Sequence, residues 1–67
     1  MKIFQQRLKE LRLEKQLSLF ALAKQLKVSH STLLRWERGE ILPSIEHLYN
    51  IAIFFGVSSD YLLGLED

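Results

Sequence analysis

Nine basic side chains and two histidines are the residues of this 67-residue chain whose types invite chemistry. An ammonium or guanidinium group binds anionic oxygens, and the planar fork of Arg can give two parallel N–H bonds to one partner. All nine basic residues, Lys2, Arg7, Lys9, Arg12, Lys15, Lys24, Lys27, Arg35 and Arg38, lie in residues 1–38. Only Glu10, Glu14 and Glu37 oppose them there, which leaves a balance of +6. Residues 39–67 hold no Lys or Arg and five acids, Glu40, Glu46, Asp60, Glu66 and Asp67, a balance of −5. The net charge of +1 thus conceals a bipolar chain. Its first part suits a polyanion, either nucleic acid or an anionic membrane surface. The plain alternative is a set of solvated helix faces that happen to segregate by sign.

Other chemistries are poorly supplied. Cysteine is absent, which removes disulfides and thiolate zinc sites. His30 and His47 stand seventeen positions apart and match no metal-ligand spacing. There is no phosphate-binding P-loop, no G-x-S-x-G elbow and no carboxylate pair with an obvious pocket. An enzyme is therefore not expected, nor a cofactor, a metal or a small-molecule ligand. A hydrophobic content of 48% argues against disorder. No apolar run approaches the roughly 20 residues of a membrane span. MKIFQQRLKE lacks the apolar core of a signal peptide. The expectation is one cytoplasmic domain over residues 1–67, small enough to profit from unusually good packing or a partner.

The elements that must position the basic groups follow from apolar spacing. Phe4, Leu8 and Leu11 recur at i, i+4 and i+7, which predicts an amphipathic helix over about 2–15. Leu17-Ser18 restarts the chain, with Ser18 as N-cap and Leu17 and Leu22 as a hydrophobic staple. A second helix over about 19–26 turns Leu22, Ala23 and Leu26 inward. Ser29 caps a third helix over about 30–38, with Leu33 and Trp36 inward, that stops at Gly39. Ser31, Leu34, Arg35 and Arg38 then share its opposite face. Ser44 caps a fourth helix over about 45–55, whose inner face is Leu48, Ile51, Ala52 and Phe55. Ser58 caps a short fifth over about 59–63, closed by Gly64. No segment reads as a strand, so the fold class is all-α.

Helices two and three are joined by a three-residue turn, the helix-turn-helix arrangement, in which the second helix enters the DNA major groove. The residues Leu11-Arg12, Leu17-Ser18, Leu22-Ala23, Val28-Ser29, Trp36-Glu37-Arg38-Gly39, Pro43-Ser44, Leu48, Ala52, Gly56-Val57-Ser58 and Tyr61-Leu62-Leu63-Gly64 go further. In that order they resemble the phage-repressor and Cro type of helix-turn-helix domain, the XRE family, over about 4–64. The resemblance implies a five-helix, lambda-repressor-like fold and sequence-specific binding to a double-stranded DNA operator, usually as a homodimer on a partly palindromic site.

It also implies roles. Base-edge positions fall on His30, Ser31 and Arg35, with Thr32 and Leu34 beside them. Arg35 can bond O6 and N7 of one guanine, and Leu34 can touch a thymine methyl group. Lys24, Lys27 and Arg38 flank the recognition helix as phosphate contacts. Arg12 pairs with Glu37 and pins that helix to the scaffold. Two positions depart from the family. Leu19 stands where a phosphate-bonding Gln is usual, and Lys27 stands where Gly is usual, at a turn that demands a left-handed backbone.

Outside these roles, Trp36 is expected in the core, His47 at the surface, and Lys2, Arg7, Lys9 and Lys15 in solvent. Phe20 is expected to pack beside the stem of Lys24. Ile53 and Phe54 are expected to form an exposed patch in the acidic part, an interface for self-association. The function expected is a transcriptional regulator that represses by occupying an operator. The rival is a protein-interaction module of the same fold, such as an antitoxin or an anti-repressor target, in which that patch would matter more than helix three.

Overall fold

A computed structural model describes residues 1–67 as five helices without strands: α1 (Lys2–Glu14), α2 (Leu19–Leu26), α3 (His30–Glu37), α4 (Ile45–Phe55) and α5 (Ser59–Leu62). No helix is long and apolar enough to cross a membrane. Four of the five begin as the serines dictate. The hydroxyls of Ser18, Ser29, Ser44 and Ser58 accept from the backbone N–H groups of Ala21, Thr32, His47 and Tyr61 at 2.9–3.1 Å. Each bond satisfies a donor that the helix itself leaves free.

All five helices end alike. The residue in the left-handed region is Gln16, Lys27, Gly39, Gly56 or Gly64, with φ between 57° and 79°. The following N–H reaches back to the helix, as in Leu17 to Arg12 (3.1 Å), Val28 to Ala23 (3.0 Å) and Glu40 to Arg35 (2.9 Å). This is the Schellman pattern, and it serves carbonyls that the helix leaves unpaired. Three ends use the chain's three glycines. Gln16 and Lys27 fill the other two against the steric preference of an L residue. At Gly39 an added Cβ would also meet the end of the Gln5 side chain, which can swing aside, so the backbone conformation is the main demand there. The expected ends of α1, α3 and α5 each run one residue too far. Lys15, Arg38 and Leu63 are caps rather than helical residues.

The core comprises Phe4, Leu8, Leu22, Ala23, Leu26, Leu33, Trp36, Ile51, Ala52 and Leu62, with no buried polar side chain among them. α3 packs on α1 and α2, α2 on α4, and α5 on α1 and α4. The inward residues of α3, Leu33 and Trp36, are therefore held by two helices, and its other face is left to solvent. Trp36 belongs to the core as expected.

Three expectations about side chains are corrected. Arg7 is not in solvent: its guanidinium donates to the carbonyl oxygens of Tyr61 and Glu66 and lies 4.2 Å from the Tyr61 ring centre. It latches the first helix to the last, using acceptors no side-chain pattern reveals. His47 is at the surface only in part. It is half-buried, tilted against Trp36 at 5.3 Å, with Nδ1 3.0 Å from Ser44 Oγ. Phe20 stacks on His30 rather than beside Lys24.

Lys27 supplies the test of the helix ends. At φ 59° and ψ 41° its side chain is strained, so Lys27→Gly should stabilise the fold by about 1 kcal/mol. For a domain of this size that raises Tm by roughly 4–8 °C. An unchanged or lower Tm would show that the turn carries no such strain.

Candidate nucleic-acid interface

The outward face of α3 starts from the capped N-terminus at Ser29. His30, Ser31, Arg35 and Arg38 are exposed, while Thr32 and Leu34 are half-buried. Lys24 and Lys27, on α2 and the turn, are exposed as well. Thr32 is partly committed to local structure, since Ser29 Oγ donates to its Oγ1 at 2.9 Å while accepting from its N–H at 3.1 Å.

The two arginines of this face are not independent. Arg35 Nε lies 3.6 Å from Glu40 Oε1, and Arg38 Nη1 lies 3.8 Å from Glu40 Oε2. One carboxylate beyond the Gly39 turn thus serves both. All three side chains are about half exposed, and ion pairs of that kind contribute about 0–1 kcal/mol. Such pairs orient the guanidiniums without locking them, and an anion of higher charge density can displace Glu40. Sequence spacing did not single out Glu40, because the Schellman turn at Gly39 is what folds it back toward Arg35.

Behind this face stands a different pair. Arg12 Nε donates to Glu37 Oε2 at 2.7 Å and Arg12 Nη2 to Oε1 at 3.1 Å, a two-point fork. The same guanidinium donates through Nη1 to the carbonyl of Leu17 at 2.9 Å. The side chains are 11% and 5% exposed, so this is a sheltered charge pair with most of its hydrogen-bonding capacity used. One arginine ties together α1, the connection into α2, and the last residue of α3. The bond to Leu17 went unseen in the sequence because a backbone carbonyl carries no residue signature.

The acidic part presents a second surface. Ile45, Tyr49 and Ile53 lie at i, i+4 and i+8 on α4, and all are exposed, Ile45 at 87%. With Leu48, Ala52 and Val57 they line a shallow groove of about 330 Å³. Phe54 does not share this surface. It is half-buried, edge-on to Phe55 at 5.0 Å, with Lys15 Nζ 5.5 Å from its ring centre. Of the two residues expected to form an exposed patch, Ile53 is exposed and Phe54 half-buried, and both line a second shallow groove with Gln25, Leu26, Lys27 and Asn50.

A helix-turn-helix family model matches residues 8–62, from the middle of α1 to the end of α5. The chain belongs to the helix-turn-helix family, in its phage-repressor and Cro branch. That is a family of DNA-binding transcription regulators. A curated relative, the HTH-type transcriptional activator BcrR of Enterococcus faecalis, is 41% identical over 64 residues, 96% of this chain. The chain spans 31% of that relative's length. No solved structure matches it. Family membership agrees with the geometry: α2 and α3 meet at the tight turn, and the two helices are capped separately by Ser18 and Ser29.

The Arg12–Glu37 fork generates a stability prediction. Arg12→Ala should cost about 3 kcal/mol, because it strands a sheltered carboxylate. Combining Arg12→Met with Glu37→Leu should recover much of that loss, since neither charge is then unpaired. Thermal melts of the three proteins decide it. A Tm for Arg12→Ala within about a degree of the parent would remove the pair from the account.

Proposed function

We propose that this helix-turn-helix domain is a sequence-specific regulator of transcription that reads an operator with the outward face of α3. The observation that carries the reading is the composition of that face. Arg35 is exposed on the last turn of α3, one turn from the exposed Ser31, with His30 exposed at the start of the helix and Lys24, Lys27 and Arg38 exposed on the flanking segments. In this reading Arg35 bonds a guanine edge, Ser31 adds a polar contact to a base, Leu34 meets a thymine methyl, Thr32 supports its neighbours from the cap, and His30 meets the duplex from the start of α3. Lys24, Lys27 and Arg38 hold phosphates. The basic part steers the domain to the duplex, and Glu40 of the acidic part yields its place beside Arg35 and Arg38 to the phosphates. The site of action is the cytoplasm.

Occupancy of an operator that overlaps a promoter represses it, which is the role proposed for the domain acting by itself. The relative's name, an activator, favours a second outcome of the same contact, recruitment at an operator beside a promoter.

A homodimer completes the proposal. Ile45, Tyr49 and Ile53 form an exposed apolar stripe outside the core, and a two-fold axis through it would carry two recognition helices. Half-sites then lie about one helical turn apart. Ile53→Asp should leave the parent a monomer at concentrations where it otherwise pairs. Sedimentation that finds only monomer for the parent at high concentration would sink the dimer. The same stripe favours the rival reading, a protein-interaction module, and a duplex-binding assay separates the two.

Base reading and phosphate holding have different signatures. Arg35→Ala should weaken the best operator by about 1–3 kcal/mol per half-site while barely changing random DNA. Lys27→Ala or Arg38→Ala should weaken all duplexes alike and lower the slope of log affinity against log salt by roughly one per lost contact. Titrations of operator and random duplex at several salt concentrations distinguish them. Equal losses for Arg35→Ala on both duplexes would make Arg35 another phosphate contact.

A further inference from the structure

Phe20 has no place in the core. It is 68% exposed, at the second residue of α2. Its ring lies face to face with His30, the first residue of α3, with ring centres 4.2 Å apart and planes 21° from parallel. The imidazole nitrogens have no partner in the protein, in contrast to His47, whose Nδ1 meets Ser44. The stack sits where α2 and α3 both begin, beside the proposed interface. Other side chains at the start of α2 are unavailable there: the Ser18 hydroxyl is taken by its cap, and Leu19 is half-buried against the core.

We propose that Phe20 is a positioning residue for DNA recognition. Its ring fixes the imidazole plane of His30, so that the ring's N–H edge meets a backbone phosphate of the bound duplex at the junction of the two helices. A free histidine at the first position of a helix samples several rotamers, and ordering one on binding is costly. Stacking takes that ordering cost before DNA arrives. Phe20 contributes no polar bond of its own. It acts through His30, so its effect must vanish when His30 is absent. The inference rests on the reading of α3 as the DNA-contacting helix.

The test is a double-mutant cycle on a duplex selected by the parent protein from random DNA, read by fluorescence anisotropy at fixed salt. Phe20→Ala and His30→Ala should each weaken binding about 3–10-fold, the range an aromatic pair supports. The double variant should bind no more weakly than His30→Ala alone, whereas independent contacts would add. Phe20→Trp should bind within about two-fold of the parent. In the free protein, the His30 ring-proton resonances should lose their ring-current shift in Phe20→Ala, with melting unchanged. Parent-like binding by Phe20→Ala, or losses that add in the double variant, overturn the proposal and leave the DNA reading standing as long as Arg35→Ala still weakens binding. If the parent selects no duplex, or if Arg35→Ala and the whole cycle bind alike, the DNA reading falls and the role of Phe20 falls with it.

Discussion

The fork between Arg12 and Glu37 is the constraint on which the presentation of α3 depends. An eight-residue helix is too short to hold itself in water. α3 is fixed instead by Leu33 and Trp36 below it and by Glu37 at its last turn. Apolar packing resists separation but tolerates rotation about the helix axis. A two-point bond between a planar guanidinium and a carboxylate does not, because both N–H directions must be met. The third donor of Arg12 reaches Leu17 and sets the entry to α2 from the same atom group. The relative placement of the two helices of the motif thus rests on their direct packing and on this one side chain. A sheltered ion pair is weak support for stability and better support for a unique arrangement. That is what the proposed docking of α3 in a groove at a fixed angle requires.

Charge is organised around the same helix. Of the acids in the acidic part, Glu40 lies at the candidate interface. It sits between Arg35 and Arg38 and must yield or stay paired when an anion arrives. A carboxylate at that point weakens attraction to any phosphate chain, and it does so without regard to sequence. The α3 face is therefore less indiscriminately adhesive than its basic content suggests. The exposed stripe of Ile45, Tyr49 and Ile53 lies on α4, and its Ile53 end shares a shallow groove with Lys27 of the turn before α3.

Much of the fold was legible in the sequence because its signals are local. Four serines preceding apolar spacing marked four helix starts, and Gly39, Gly56 and Gly64 marked three ends. Gln16 was not legible, because a left-handed residue without glycine leaves no mark. Partners far along the chain were hidden when the acceptor was backbone. Arg7 bonds carbonyls on the far side of the sequence, so its latch looked like a solvated charge. Phe54 differs from Ile53 by one position on α4, about 100° of rotation, which is enough to turn it against Phe55. The Arg12–Glu37 pair and the left-handed Lys27 were anticipated only through the family resemblance. The Phe20–His30 stack and the sharing of Glu40 by two arginines arise from the tight turns, which bring together residues that periodicity assigns to separate faces.

The central claim is that α3, with the start of α2, is the surface that meets DNA. Amide chemical-shift mapping of the 67-residue protein during titration with a selected duplex tests it most directly. The largest changes should fall on Leu19 and Phe20, on the turn at Lys27 to Ser29, and on His30, Ser31, Leu34, Arg35 and Arg38. Changes centred instead on Ile45, Tyr49 and Ile53, with α3 unmoved, would contradict the account.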